Sequence, residues 1–176
     1  KSPMLAHADM LKQQYGADTI VVFVGPCIAK KHEAESTEES NADAVITFGR
    51  LRQWLEEENI STDIEVTEEA RFNPSAAGDG SIYPVDGGMI SGVRKNARHT
   101  DATFMTFSGV TDVWQTLKGL NELQSDQNIF LELMACSGGC INGPGNTCWD
   151  SLAGKRLAVL KNRKDKSNTG TRYISD

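Results

Sequence analysis

The spacing of apolar positions predicts a chain in which short strands alternate with helices. Short strands are predicted at residues 19–24, 44–46, 103–107 and 129–134, and the continuous apolar run at 19–24 is typical of a strand covered on both faces. Between them, apolar residues recur every three or four positions, as on one face of a helix. Strands that alternate with helices indicate parallel pairing. We therefore predict an α/β fold with a mainly parallel sheet of about four strands, flanked by helices.

Helix-start and helix-stop residues delimit the first two predicted helices. Ser2 and Pro3 suit the N-cap and first turn of a helix that Gly16 ends. Thr47 can cap the second helix. The apolar residues at helical spacing are Met4, Ala8, Leu11 and Tyr15 in the first helix and Phe48, Leu51 and Leu55 in the second. We assign the first helix a packing role only.

Two more helices are predicted in the second half of the chain. Gly87 and Gly88 open a helix that runs toward Arg98. Another helix follows Gly109. Its apolar side consists of Val110, Val113, Trp114, Leu117 and Leu120.

Three polar segments are expected to lack regular structure or to lie at the surface. Residues 33–40 read EAESTEES and predict a solvated loop. Residues 59–86 contain glycine and show no periodicity, so we expect a long irregular excursion. The tail from residue 155 carries LAVL and then a basic run, which favours a surface helix and a frayed terminus.

A glycine-rich loop with two cysteines follows the last predicted strand, in the stretch FLELMACSGGCINGPG at residues 130–145. Cys136 and Cys140 are separated by three residues, so both thiolates can reach one soft metal centre. The neighbouring glycines carry no Cβ and allow the backbone to approach a bulky inorganic group. The same spacing also occurs in zinc sites, redox pairs and ordinary buried cysteines. The loop alone therefore leaves its ligand open.

A third cysteine follows the first predicted strand, in the stretch GPCIAKKHE. In open parallel sheets, ligands gather outside the carboxyl ends of the strands. Four side chains each follow a predicted strand, namely Cys27, Ser108, Cys136 and Cys140. We expect them to lie together at one edge of the sheet.

Together, GPCIAKKHE and ELMACSGGCINGPG resemble the second and third cysteine signatures of the iron-only (di-iron) hydrogenase large subunit, in its C-terminal region. KSPM at the start, NADAVIT at residues 41–47 and GGMISGVRK are also similar to that family. The resemblance covers most of the chain. It implies that residues 1–176 form a single domain, one lobe of the hydrogenase fold, excised from a longer catalytic region.

The resemblance assigns a cofactor to the cysteines. By motif position, Cys27, Cys136 and Cys140 would bind a 4Fe-4S cluster, and Cys140 would bridge it to a two-iron subsite to form the H-cluster. In the family, the fourth ligand and the cysteine that delivers protons lie upstream of the KSPM-like segment. The upstream part of the same polypeptide is therefore an expected partner. The cofactor is expected in the full-length parent, and the isolated fragment is expected to be inactive.

Two charged residues in AKKHE would have catalytic roles on the same resemblance. Lys30 matches the family lysine that hydrogen-bonds a diatomic ligand of the two-iron unit, a task that suits an ammonium donor. Glu33 matches a proton-path glutamate and shares a face with Lys30 if this turn is helical. A surface lysine beside Lys31, and a solvated face with His32 and Glu35, explain these residues without catalysis.

Three positions depart from the family pattern. Gly25 and Ser137 stand where the family usually has Met and Pro, and Ser91 stands where catalytic members commonly place a glutamate for proton transfer. General acid and base steps need a titratable group in reach, so the change at Ser91 should slow turnover more than it weakens cluster binding. These departures resemble divergent members that sense hydrogen or redox state. Reversible proton/hydrogen oxidoreduction and sensing both stay open.

Two other classes of function stay open as well. A non-catalytic iron–sulfur protein related to the cluster-assembly factors would keep the cysteine motifs. A structural zinc domain could add Cys148 to the other three cysteines, although Cys148 is more simply explained as a thiol packed beside Trp149. Iron and acid-labile sulfide analysis separates the zinc alternative from the others.

Composition and charge argue against some classes of partner and favour one kind of cellular compartment. The formal net charge of −6 and the pI near 5.1 argue against nucleic acid as a partner, because binding phosphates needs a clustered positive face. No apolar run approaches the length of a membrane span, so no membrane partner is expected. The four cysteines are unevenly placed, and their glycine-rich setting favours reduced thiols that hold a metal, in a reducing, anaerobic cytoplasm, over a secreted disulfide scaffold. The resemblance to the iron-only hydrogenases implies an electron carrier such as ferredoxin as a protein partner.

Overall fold

The structure is a computed structural model that describes residues 1–36, 40–63, 77–96, 101–123, 127–148 and 150–168. The chain divides into two compact units. Unit 1 comprises Lys1–Val66 with Gly143–Thr147, and unit 2 comprises Thr67–Asn142 with Cys148–Asp176. The expectation of a single domain stays a prediction.

Unit 1 is built on a pair of parallel strands with helices around them. Its elements are α1 (Pro3–Tyr15), β1 (Val22–Val24), α2 (Ala29–Ser36), β2 (Ala44–Ile46) and α3 (Phe48–Glu57). The strands pair in register from Val22↔Ala44 to Val24↔Ile46. α1 begins as predicted, because the Ser2 side chain accepts a hydrogen bond from the Leu5 N–H. Thr47 caps α3 in the same way through the Arg50 N–H.

The core of unit 1 lies between α1 and the strands. Its buried residues are Met4, Leu5, Ala8, Val21 and Ala42, and the partly buried Leu11, Phe23, Ala34 and Val45 pack against them. α1 therefore has the packing role expected for it. Burial of these apolar side chains supplies the main favourable term for folding this unit.

Unit 2 contains a second parallel pair. Its helices and strands are α4 (Gly88–Asn96), β3 (Thr103–Ser108), α5 (Val110–Gly119), β4 (Ile129–Met134) and α6 (Leu152–Asn168). Short 3₁₀ helices stand at Asp79–Ile82, Leu120–Glu122 and Cys140–Asn142. β3 and β4 pair in register from Thr103↔Ile129 to Ser108↔Met134, so their carboxyl ends meet at the same edge.

The predicted α/β class, with parallel strands flanked by helices, is confirmed. The four strands are divided between two two-stranded sheets in the described residues, where one sheet was expected. Each pair is joined by its own crossover, through α2 for β1–β2 and through α5 for β3–β4. Of the predicted irregular excursion 59–86, residues 64–76 lie outside the described residues, and the described part contains a 3₁₀ helix at Asp79–Ile82.

Other local expectations need correction. Residues 33–36 belong to α2 and not to a loop. The run 19–24 is not covered on both faces, since Ile20 is 77% exposed and β1 begins only at Val22. The apolar side of α5 is only partly packed, because Val110 and Trp114 are 69% and 59% exposed.

α4 begins at Gly88 as predicted, and Arg98 lies outside the described residues. The tail does form a helix, α6, and the terminal residues 169–176 also lie outside the description. None of the helices in the described ranges is long and apolar enough to cross a membrane.

Candidate metal centre

The two-cysteine loop leaves the carboxyl end of β4 and turns back over the end of β3. Gly138 and Gly139 have φ of +79° and +97°, a region that L side chains rarely adopt. The Gly138 N–H donates to the Ser108 hydroxyl at 3.0 Å, and the Gly139 N–H donates to the Cys136 carbonyl at 3.0 Å. Ser108 and the cysteine loop therefore share one sheet edge within unit 2, as expected from parallel pairing.

The loop rests on a second turn, the Pro84 turn (residues 84–88), which precedes α4. The Ile141 N–H donates to the Pro84 carbonyl at 3.0 Å. A Cβ at Gly139 would lie 2.6 Å from that carbonyl oxygen and 2.7 Å from the Asp86 nitrogen. This close backbone contact requires glycine at position 139. It places the loop directly on the Pro84 turn.

Glu132, a residue of β4, also connects the strand before the cysteine loop to the Pro84 turn. Its side chain is only 4% exposed, and it is the buried charged residue of the described core. One carboxylate oxygen accepts from the Gly87 N–H at 3.0 Å, and the other accepts from the Ile90 N–H at 2.9 Å. These donors stand at the N-terminal end of α4, Gly87 directly before it and Ile90 in its first turn, where a helix leaves N–H groups without helical partners. Glu132 thus caps α4 from the strand that leads to Cys136.

Cys27 lies in unit 1, in the loop between β1 and α2. The Gly25 N–H donates to the Ile46 carbonyl at 3.1 Å and extends the strand pairing. The Pro26 carbonyl accepts from the Gly145 N–H at 2.8 Å, and a Cβ at Gly145 would lie 2.9 Å from that oxygen. The Gly-Pro turn before Cys27 is therefore held on both sides by backbone contacts.

Lys30 and Glu33 do share one face, because both belong to α2. The Lys30 ammonium donates to the Glu33 carboxylate, and both side chains are half-buried. Partial burial raises the pKa of Glu33. Hydrogen bonds from Lys30 and from the Ser2 hydroxyl and N–H lower the pKa by more than burial raises it. The pKa of Glu33 accordingly lies below its ordinary value of 4.5. Glu33 thus ties α2 to the start of α1.

The pH dependence of unit 1 should report this contact. A carboxylate with a lowered pKa in the folded state stabilises the fold above its unfolded pKa, and that contribution is lost as the pH falls through the folded value. We expect Glu33→Gln to flatten the loss of unit 1 stability between about pH 5 and pH 3. Hydrogen exchange of α1 peptides in the apo-protein measures it.

Glu35→Gln is the matched control, because Glu35 lies exposed on the same helix. The control should keep the wild-type pH profile. Identical profiles for Glu33→Gln and the wild type would show that the contact with Ser2 adds no stability in solution.

The four cysteines are all thiols, and two of them are grouped by the chain itself. Cys136 and Cys140 flank the glycine turn, and Cys148 approaches the Asp150 carboxylate at 3.1 Å. Trp149 lies outside the described residues, so the predicted packing of Cys148 beside it stays a prediction. No three His, Cys, Asp or Glu side chains of the described ranges are grouped closely enough to hold a metal ion.

The donor set of the loop nevertheless fits an iron–sulfur cluster. Cys136 and Cys140 are soft thiolate donors, the ligand type that iron–sulfur clusters take, and both belong to one short loop. Backbone N–H groups of such a loop can also donate to cluster sulfur. Two protein ligands from this loop are fewer than a cubane needs, so further ligands must come from elsewhere.

A comparison of the sequence with known protein families identifies the family to which the chain belongs. The family model described as "Iron only hydrogenase large subunit, C-terminal domain" matches residues 1–144 of the 176-residue chain. The match includes Cys27, Cys136 and Cys140. The chain belongs to the iron-only hydrogenase large-subunit family. Membership in this family implies an iron–sulfur H-cluster in the full-length protein.

One curated relative supports the family assignment. Iron hydrogenase 1 from Clostridium pasteurianum is 25% identical over 187 aligned positions, which cover 82% of this chain and 33% of that protein. The chain thus spans about a third of the length of this iron-only hydrogenase. Residues 145–176, including all of α6, lie outside the part that the family model matches.

Several residues of the site are not singled out by the sequence. Glu132 is a lone acidic residue within an apolar strand directly before the cysteine loop. An acidic residue at such a position could have been recognised from the sequence as a candidate site residue. Asp86 is also a site residue, because its backbone contacts Gly139. No local pattern marks Asp86, since its partner lies in α6.

Proposed function

We propose that this chain is the cysteine-bearing part of an iron-only hydrogenase-like protein that binds an H-cluster in its full-length form. The main support is the geometry of the Cys136–Cys140 loop at the carboxyl end of β4. Its glycine turn is fixed by Ser108 and by the Pro84 turn, so the two thiols are held on a rigid base. A rigid base favours cluster binding, because less ordering is needed when the ligands bind.

The proposed ligands of the cubane cluster are Cys27, Cys136 and Cys140. The fourth thiolate would come from a part of the protein outside this sequence, as the family signatures suggest. When bound, the cluster supplies electron storage and transfer. The chain itself supplies soft anionic donors on a turn that is held by Ser108 and by the Pro84 turn.

Lys30 is proposed as a hydrogen-bond donor to a diatomic ligand of the two-iron unit. The contact with Glu33 supports this role, since a half-buried carboxylate restricts the ammonium to a small region. Glu33 was assigned to a proton path by resemblance. Its lowered pKa keeps it ionised near neutral pH, with no proton to donate, so its contacts support holding Lys30 better than carrying protons.

Sensing or slow interconversion is favoured over fast hydrogen production. Ser91 lies exposed on α4, where catalytic relatives commonly place a glutamate. A serine hydroxyl does not titrate near neutral pH and cannot replace a carboxylate in a proton route. We further propose a reducing cytoplasm as the setting and a ferredoxin-like electron carrier as the partner.

The test uses the full-length protein, produced anaerobically with the maturation machinery of the family. Infrared spectroscopy in the region of metal-bound carbonyl and cyanide stretches is combined with iron, sulfide and zinc analysis. Carbonyl and cyanide bands support the proposal. Cubane absorption without those bands moves the protein to the non-catalytic iron–sulfur class, and zinc without sulfide rejects both.

A pair of neighbouring lysines provides the matched variants. Lys30→Ala should shift the cyanide stretches and weaken retention of the two-iron unit by about 1.5–3 kcal/mol, the usual worth of a hydrogen bond to a charged group. Lys31→Ala should leave both unchanged, because Lys31 is exposed on the same helix. Equal effects of the two substitutions would remove Lys30 from the proposed site.

A further inference from the structure

α6 lies against the cysteine loop, although it is outside the residues that the family model matches. Leu152 begins the helix and packs on the glycine turn. A Cβ at Gly138 would lie 2.6 Å from both Leu152 methyl carbons. The first turn of α6 therefore covers the loop within unit 2.

Two basic residues of α6 make polar contacts with the loop and its base. The Lys155 ammonium donates to the Asn142 side-chain oxygen at 3.1 Å, and the Asn142 amide donates to the Ser137 carbonyl at 3.3 Å. The Arg156 guanidinium donates to the Asp86 carboxylate at 2.8 Å and to the Asp86 carbonyl at 3.4 Å. One residue thus reaches the chain next to Cys136, and the other reaches the turn on which Gly139 rests.

We propose that α6 fixes the Cys136–Cys140 loop through Arg156 on Asp86 and Lys155 on Asn142, which makes both basic residues positioning residues for the two thiols. Asp86 and Gly139 are in backbone contact, so a movement of Asp86 moves the loop. Arg163 anchors the far part of the helix by donating to Asp79 at 3.1 Å. The proposal concerns the protein with or without a cofactor and does not rest on the proposed function.

The test measures how fast each cysteine is alkylated in the reduced, metal-free chain. A brief pulse of iodoacetamide followed by peptide mass spectrometry gives separate rates for Cys136, Cys140 and Cys27. Cys27 belongs to unit 1 and serves as the internal reference. Arg156→Gln should raise the rates of Cys136 and Cys140 relative to Cys27 by about three- to fivefold, the effect of losing one partly exposed ion pair.

Three comparisons separate positioning from general stability. Lys161→Gln, an exposed position on the same helix, should leave the ratio unchanged. Arg156→Lys should recover part of the wild-type ratio, because it keeps the charge opposite Asp86. Lys155→Met should change the ratio in the same direction as Arg156→Gln. An unchanged ratio in Arg156→Gln, or a rise of all three rates in proportion, overturns the proposal.

The wild-type chain provides a second measurement if Arg156→Gln does not fold. Raising the salt concentration from about 0.01 M to 1 M shortens the screening length from about 30 Å to 3 Å and weakens exposed ion pairs. The ratio of Cys136 and Cys140 to Cys27 should then rise. A ratio independent of salt argues against Arg156 as the positioning group.

Discussion

Replacing Gly139 with alanine is expected to destabilise unit 2 by about 2–5 kcal/mol and to displace the cysteine loop. The backbone at Gly139 has φ +97°, which is strained for alanine. The new Cβ would also meet the Pro84 oxygen and the Asp86 nitrogen at 2.6 and 2.7 Å. Both are backbone atoms, so neither can rotate away. Hydrogen exchange of unit 2 peptides measures the effect, because two units need not unfold in one transition.

Gly119→Ala is the matched control in the same unit. Gly119 has φ −77°, and no described atom lies within 4 Å of the position of its Cβ. Alanine restricts the unfolded chain there and should stabilise unit 2 by about 0.4–1 kcal/mol. Wild-type protection in Gly139→Ala would show that the loop can form without the close contact to the Pro84 turn.

Glu132→Ala is expected to destabilise unit 2 by about 2–5 kcal/mol, because a buried donor left unsatisfied, such as the Ile90 N–H, costs about 1–3 kcal/mol, and the part-buried Gly87 N–H adds a smaller cost. Removal of the carboxylate leaves the Gly87 and Ile90 N–H groups without an acceptor in the core. The loss should appear first as faster amide exchange in the first turn of α4. Iron content after cluster reconstitution of the full-length protein should fall with it, since the Pro84 turn supports the cysteine loop.

Two further variants define the role of Glu132. Glu132→Gln keeps one acceptor oxygen and turns an amide NH₂ toward the second donor, so an intermediate loss is expected. Glu122→Ala removes an exposed glutamate from unit 2 and should change stability by no more than about 0.5 kcal/mol. If Glu132→Ala behaves like Glu122→Ala, the two hydrogen bonds to Glu132 do not stabilise α4.

The features that the sequence predicts well are those set by nearby residues. Ser2 with Pro3 and Thr47 identify helix starts because an N-cap bonds to N–H groups two or three residues away. The cysteine loop is also local, since Gly138 and Gly139 lie between its two thiols. Four apolar runs locate the four strands for the same reason.

The features that the sequence does not predict depend on distant partners. Glu33 gives no sign that it bonds Ser2, 31 positions earlier (33 minus 2), so its proton-path role followed only from resemblance. The exposure of Val110 and Trp114 is invisible in the helical spacing, because periodicity shows which face is apolar and not what covers it. The division of the strands into two sheets is likewise not visible in the strand sequences, because it depends on which connecting segments bring two strands side by side.

The cysteine loop is carried by the β3–β4 pair and covered by α6. The contacts of these two supports differ in the length of chain that each one closes. Every β3 residue pairs with a β4 residue 26 positions later (129 minus 103), whereas Arg156 and Asp86 are separated by 70. The entropy of closing a flexible loop grows with the logarithm of its length, so the longer closure costs about 0.9 kcal/mol more. The strand pair below the cysteine loop therefore closes a short length of chain. The contacts of α6 close a longer one, so they must offset a larger entropy cost.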